Sequence, residues 1–253
     1  MYKLIAPQRT DSTAPPLLSV RNLSCAYTSR AYGLFGKTEV KPVLDQVNLE
    51  MAQGEIFGLT GESGCGKSTI ARCILGLIHY TGTVLIDGQD ETGRRENQSQ
   101  QRLRRAKLCQ MIFQESGASL NPVKRIGWLM EEPLRIHRLY AKEERAAQVD
   151  EMLSAKVNEM LLRVGLDPSY RKRLPHELSG GQKQRICIGR ALMLSPKLLI
   201  ADEAINSLDV STGAQILNLF RELNAREGIG ILFISHNTSA VEYLCDRIAA
   251  FSK

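Results

Sequence analysis

The chain has 253 residues, 43% hydrophobic and 24% charged, enough to bury one substantial core with a small inserted subdomain. No apolar stretch approaches the roughly 20 residues needed to span a bilayer, and the six cysteines (25, 65, 73, 109, 187, 245) lack a CxxC pair, which argues against zinc and against a disulfide framework. The formal charge of +6 raises nucleic acid or acidic lipid as partners.

Residues 1–16 (MYKLIAPQRTDSTAPP) contain no sustained apolar segment and read as a flexible tail rather than a signal peptide. A β-rich pattern begins near residue 17, with a hydrophilic loop expected at 28–42, where Gly33, Gly36 and Pro42 act as breakers. EIFGLT (55–60) predicts a short buried strand and STIARCILGLI (68–78) a helix. Between them, Gly61, Gly64, Gly66, Lys67 and Ser68 match G-x-x-x-x-G-K-[ST]. Glycines let successive backbone N–H groups curl around phosphates, lysine adds a point charge, and the serine hydroxyl suits Mg2+. A strand before and a helix after are the context that separates this loop from a Gly-rich turn with a chance lysine. Cys65 inside it reads as a small filler, with a reactive thiol beside a helix N-terminus as the other reading.

QDETGRRENQSQQ (89–101) reads as a loop, in a polar stretch holding Arg94, Arg95, Arg102, Arg104, Arg105 and Lys107. No aromatics interleave these charges, so a solvated face is expected and no nucleic-acid partner. CQMIFQES (109–116) is a strand followed by Gln114. Tyr140 to Gly165 is a long helical pattern with Val149, Leu153, Val157, Met160, Leu161 and Val164 on one face and Gly165 at the stop. LSGGQ (178–182) precedes a helix at 183–194. KLLIADEA (197–204) is a continuous apolar run closed by two carboxylates, as in a central parallel strand with its ligand at the C-terminal end. Asp202 is then expected to hold Mg2+ through its water shell and Glu203 to polarise an attacking water. GIGILFIS (228–235) repeats the pattern and ends at His236, beside the terminal phosphate if both strands share one sheet.

In this order and spacing, the segments make the chain resemble the nucleotide-binding subunits of ABC transporters, from about residue 17 to the end. The resemblance implies an α/β fold, a RecA-like P-loop NTPase core with an antiparallel β edge and an inserted α-helical subdomain. The core would comprise 17–113 and 185–253, and the helical subdomain 114–184. It implies ATP and Mg2+ as cofactors, with Gly61, Glu62, Ser63, Gly64, Cys65, Gly66, Lys67, Ser68 and Thr69 on the phosphates and Ser68, Gln114 and Asp202 around the metal. Tyr27 would stack on adenine, with Tyr32 close by in the same segment. Glu203, His236 and Gln114 would be catalytic, Gln114 also sensing the membrane partner. Ser179, Gly180, Gly181 and Gln182 would face the γ-phosphate held by an opposite subunit, and Asp209 would belong to the loop linking the two sites.

SLNPVKRIGWLMEEPLRIH (119–137) and DEAINSLDVSTGAQIL (202–217) look like the oligopeptide, dipeptide and nickel importer branch. That branch implies import of peptides, nickel or metal chelates. The partners would be a second ATPase subunit, of the same or a different chain, two transmembrane permease subunits and, indirectly, an external substrate-binding protein. The location would be peripheral, on the cytoplasmic face of the cell (inner) membrane. The family's Gly-acid-Gly turn after the last strand does not occur in RIAAFSK (247–253), a departure that bears on any C-terminal regulatory or dimer-supporting role. The alternative is a soluble ABC ATPase of a non-transport assembly, such as a phosphonate-cleaving complex. SLNP and EPL favour transport.

Overall fold

A computed structural model describes residues 3–5, 14–30, 38–91, 98–114, 117–138 and 146–252. Its strands are β1 (Lys3–Ile5), β2 (Leu18–Arg30), β3 (Thr38–Met51), β4 (Ile56–Thr60), β5 (Thr81–Ile86), β6 (Gln89–Asp90), β7 (Cys109–Ile112), β8 (Leu198–Asp202), β9 (Gly230–Ile234) and β10 (Arg247–Ser252). Its helices are α1 (Lys67–Ile74), α2 (Gln98–Leu108), α3 (Ile126–Ile136), α4 (Ala146–Arg163), α5 (Gly180–Leu192), α6 (Val210–Glu227) and α7 (Thr238–Leu244).

Six strands form a sheet in the order β1-β10-β4-β9-β8-β7, parallel except for β1. Side chains alternate across it, and both faces are apolar, which is why β8 and β9 are unbroken apolar runs. Phe57, Leu59, Leu198, Ile200, Leu232 and Ile234 face one core, shared with α1 and the second sheet. Ile56, Leu199, Ala201, Ile231 and Phe233 face the other, which continues through α6 and α7 into α3, α4 and α5. The division expected at residues 184 and 185 falls inside α5. Helix α7 lies so close to β4 that a Cβ on Gly58 would stand 2.7 Å from Val241 Cγ1.

The second sheet, β3-β2-β5-β6, is antiparallel. Here the hydrophilic loop expected at 28–42 is corrected at both ends. Strand β2 runs to Arg30 and β3 starts at Thr38, with Arg30 opposite Thr38 and Tyr27 opposite Lys41. Pro42 is tolerated because β3 is the edge strand, so a missing N–H costs no second ladder. Gly33 and Gly36 lie outside the described residues.

The loop expected at 89–101 is likewise part strand and part helix, β6 and the start of α2. Its charges explain the difference. Glu91 is fully buried; Arg105, itself 7% exposed, donates through Nε to it at 3.1 Å, and Arg104 Nε donates to its other oxygen at 3.0 Å. Thus Arg105 does not belong to a solvated face, whereas Arg102 and Lys107 are exposed. Removing the carboxylate strands a buried guanidinium, so Glu91→Ala should cost about 3–5 kcal/mol in a denaturant titration. A loss below about 1 kcal/mol would show that the triad holds nothing.

Glycine sets the stops of α1 and α4. At Gly165 (φ +74), Leu166 N–H reaches Leu161 O at 2.8 Å and Gly165 N–H reaches Leu162 O at 2.9 Å, ending α4 where the periodicity placed it. Gly76 (φ +66) makes the same pair of bonds, so α1 ends at Ile74, short of the Ile78 expected.

Candidate nucleotide site

Strand register gathers the site. Leu59 pairs with Ile234, Ile234 with Asp202, and Ala201 with Ile112, so the segments beginning at Gly61, Ser235, Glu203 and Phe113 all leave the sheet at one edge. That is where ligands bind in parallel α/β sheets.

The loop from Gly61 to Gly66 bends through three left-handed glycines, Gly61 (φ +146), Gly64 (φ +79) and Gly66 (φ +110). A Cβ on Gly66 would meet Leu44 Cδ2 at 2.8 Å, so that glycine is required by packing as well as by φ. At Gly64 a Cβ would meet nothing within 4 Å, leaving a cradle open toward solvent. Lys67 opens α1, is 5% exposed, and donates from Nζ to Gly61 O (2.8 Å) and Glu62 O (2.9 Å). Cys65 is buried against the same ammonium, with Sγ 3.7 Å from Nζ, as fits the filler reading. Ser68 Oγ donates to Asp202 Oδ1 at 3.1 Å. Asp202 is 4% exposed, and burial pushes its carboxyl above the usual range, against the Ser68 hydrogen bond. An open glycine cradle, a lysine, and a buried carboxylate beside a serine hydroxyl fit a nucleotide phosphate with a hard cation.

Glu203 adopts φ +51, a conformation that costs roughly 1 kcal/mol for a residue with a side chain. Its N–H donates to Ile234 O at 2.9 Å, tying the end of β8 to the end of β9. Glu203 Oε1 lies 3.2 Å from His236 Nδ1, and Asn206 Nδ2 lies 3.3 Å from the same nitrogen. Sequence reasoning missed Asn206; its only signal was a polar amide three residues past the second carboxylate. Gln114 is exposed, two residues beyond β7. Beside it, a cavity of about 330 Å³ is lined by Phe113, Glu132, Ile136, His137, Cys187 and Arg190. Burial, then the neighbouring Lys107 charge, lowers the His137 pKa.

Ser179 caps α5, accepting from Gln182 N–H at 3.3 Å, while Gln182 Oε1 accepts from Ser179 N–H at 3.0 Å. This reciprocal box is what S-x-x-Q before a helix encodes. Gln182 Nε2 then donates to the Tyr170 hydroxyl at 2.9 Å, and the Arg173 guanidinium lies 3.9 Å from the Tyr170 ring centre. Ser179 Oγ thus accepts within the chain and keeps its own proton to donate outward. Gly180 and Gly181 form the first turn of α5, and a Cβ on Gly181 would meet Thr212 Cγ2 at 2.4 Å. Asp209 caps α6 by accepting from Thr212 N–H (2.9 Å) and Thr212 Oγ1 (2.7 Å), and these bonds lower its pKa. Tyr27 is 40% exposed on β2; Tyr32 lies outside the described residues.

A family profile described as "ABC transporter" matches residues 44–206. The chain belongs to the ABC transporter family. It is 43% identical over 244 residues to the oligopeptide transport ATP-binding protein AppF of Bacillus subtilis, covering 94% of this chain and 70% of that one. It is 42% identical over 245 residues to the glutathione import ATP-binding protein GsiA of Pectobacterium atrosepticum, covering 96% of this chain and 38% of that one. Its fold is that of ABC ATPases. The ATP-binding cassette MJ0796, solved as a dimer bound to ADP and Pi, superposes with a TM-score of 0.75 at 28% identity, covering 91% of this chain and 92% of the other. Among the described residues, no helix of this ABC protein is long and apolar enough to cross a membrane.

Proposed function

We propose that this chain is the ATP-hydrolysing subunit of an ABC importer for peptides or peptide-like cargo, working as a dimer of cassettes beneath two permease subunits. The observation that carries the ATPase reading is the single sheet edge holding Lys67, Ser68, Asp202, Glu203 and His236. Similarity to AppF, 43% identical over 94% of the chain, supports peptide import, and nothing favours a non-transport assembly.

In this reading the N–H groups of Gly64 to Ser68 and the Lys67 ammonium bind the β- and γ-phosphates at the start of α1. Mg2+ would neutralise charge developing on the transferred phosphate, and Ser68, Asp202 and Gln114 are the residues that would hold it. Glu203 orients and deprotonates the attacking water, and His236 donates to the terminal phosphate. Ser179, with its free hydroxyl proton, and the Gly181 N–H complete the site of the opposite subunit. Tyr27 stacks on the adenine, Asp209 holds the turn between the two sites, and the cavity beside Gln114 receives a permease segment on the cytoplasmic face.

Lys67→Ala should weaken nucleotide binding itself, by at least about tenfold, the worth of a charge-assisted contact. Calorimetry with ATP and Mg2+ should then show affinity and hydrolysis falling together; equal affinity would remove Lys67 from the cradle. Reconstitution with a permease pair in vesicles tests the function as a whole, because turnover should rise only with peptide-loaded binding protein.

A further inference from the structure

The side-chain amide of Gln182 is fixed end for end by what surrounds it. Ser179 N–H, 3.0 Å from one end, can only donate, so that end is the oxygen and the amide nitrogen faces the Tyr170 hydroxyl at 2.9 Å. That nitrogen can only donate, so the hydroxyl oxygen accepts. Tyr170 is in turn held from behind. Its short helical turn, Pro168–Lys172, is capped by Asp167 Oδ1, which accepts from Ser169 N–H at 2.8 Å. The end of the turn is bound to the start of α3, where Arg125 Nη1 donates to Lys172 O at 2.5 Å and Ile126 N–H donates to Arg173 O at 2.9 Å. The Arg173 guanidinium, 3.9 Å from the ring centre, covers the tyrosine itself.

We propose that Tyr170 is a positioning residue for the phosphate contact made by Ser179. Its hydroxyl anchors the Gln182 amide, the amide oxygen anchors Ser179 N–H, and Ser179 Oγ is held where it accepts from Gln182 N–H at 3.3 Å. A glutamine side chain is long and freely rotating, so without a second anchor its amide divides its time between Ser179 N–H and water. The serine hydroxyl stabilises charge on a phosphate only if it is in place before that charge develops. This inference rests on the reading in which Ser179 faces a partner's nucleotide. LSGGQ accounts for Ser179 and Gln182 in that reading, and the tyrosine lies outside it.

Tyr170→Phe removes the hydroxyl and keeps the ring under Arg173. In the assembled complex, turnover should fall roughly fivefold, the worth of one neutral hydrogen bond. Calorimetric affinity of the lone chain for ATP should not move, because none of the groups proposed to bind its own nucleotide is altered. In the nucleotide-free chain, hydrogen exchange at Ser179 N–H should quicken by a similar factor. A double-mutant cycle separates positioning from general damage. Gln182→Ala should cost more than Tyr170→Phe, since it also removes the acceptor for Ser179 N–H, and adding Tyr170→Phe to it should cost nothing further. Turnover equal to the parent, unchanged exchange at Ser179, or a loss that adds to that of Gln182→Ala overturns the proposal. Failure of the underlying reading would appear differently, as a Ser179→Arg chain that dimerises and hydrolyses like the parent.

Discussion

Glu203→Gln should abolish steady-state hydrolysis, by about 10²-fold or more, while ATP binding persists. The amide keeps the size and most of the hydrogen-bonding shape of the carboxylate but cannot take a proton from water. None of the groups proposed to cradle the phosphates is altered, since Lys67 bonds to Gly61 and Glu62 and Ser68 to Asp202. The backbone at φ +51 is retained as well, because glutamine and glutamate have the same branching. Trapped nucleotide in the assembled transporter, measured after filtration, should accumulate in the variant. Turnover equal to the parent would transfer the role of base to another group.

Ser179→Arg should leave ATP binding to a lone subunit nearly intact and prevent the ATP-dependent dimer, with turnover falling about 10²-fold or more, as when a preorganised phosphate contact is lost. Since Ser179 also caps α5, the substitution removes a cap worth about 1 kcal/mol. Ser179→Ala removes the same cap without a bulky cation, so a variant that dimerises there and fails with arginine locates the effect at the interface. Mixing the arginine variant with a Lys67→Ala chain is sharper. Both lesions then fall on one composite site, and the other is whole, so the mixture should regain activity that neither chain has alone. Chromatography with a non-hydrolysed ATP analogue, paired with ATPase assays, measures both. An arginine variant that dimerises and hydrolyses like the parent would end the head-to-tail arrangement for this chain.

Parts of the molecule that obey one-dimensional rules were legible before any coordinates. Strands β4, β8 and β9 are short apolar runs closed by special residues, because both faces of a parallel sheet are covered. The α4 stop was legible because a left-handed glycine is a local signal. What failed depended on partners distant in sequence. The arms at 28–30 and 38–42 look hydrophilic, yet their backbones pair antiparallel, and a ladder of backbone hydrogen bonds asks nothing of side-chain polarity. Arg105 looks like its exposed neighbours, and only the Glu91 carboxylate, 14 residues away, makes its burial possible. The site residues were read from motifs, whereas Asn206 has no motif; the register that puts the end of β8 beside the end of β9 is what brings its amide to His236.

The closeness of Gly181 to Thr212 has a mechanical meaning. With a would-be Cβ only 2.4 Å from the threonine methyl, the first turn of α5 and the first turn of α6 approach as closely as a glycine allows. Thr212 in turn grips Asp209, at the end of the Ile205–Asp209 turn that carries Asn206 to His236. A run of van der Waals contact and hydrogen bonds therefore connects the first turn of α5 to the turn beside the histidine. Within one chain, the surface proposed to face a partner's nucleotide and the ring proposed to lie beside its own are two ends of a single run of contacts.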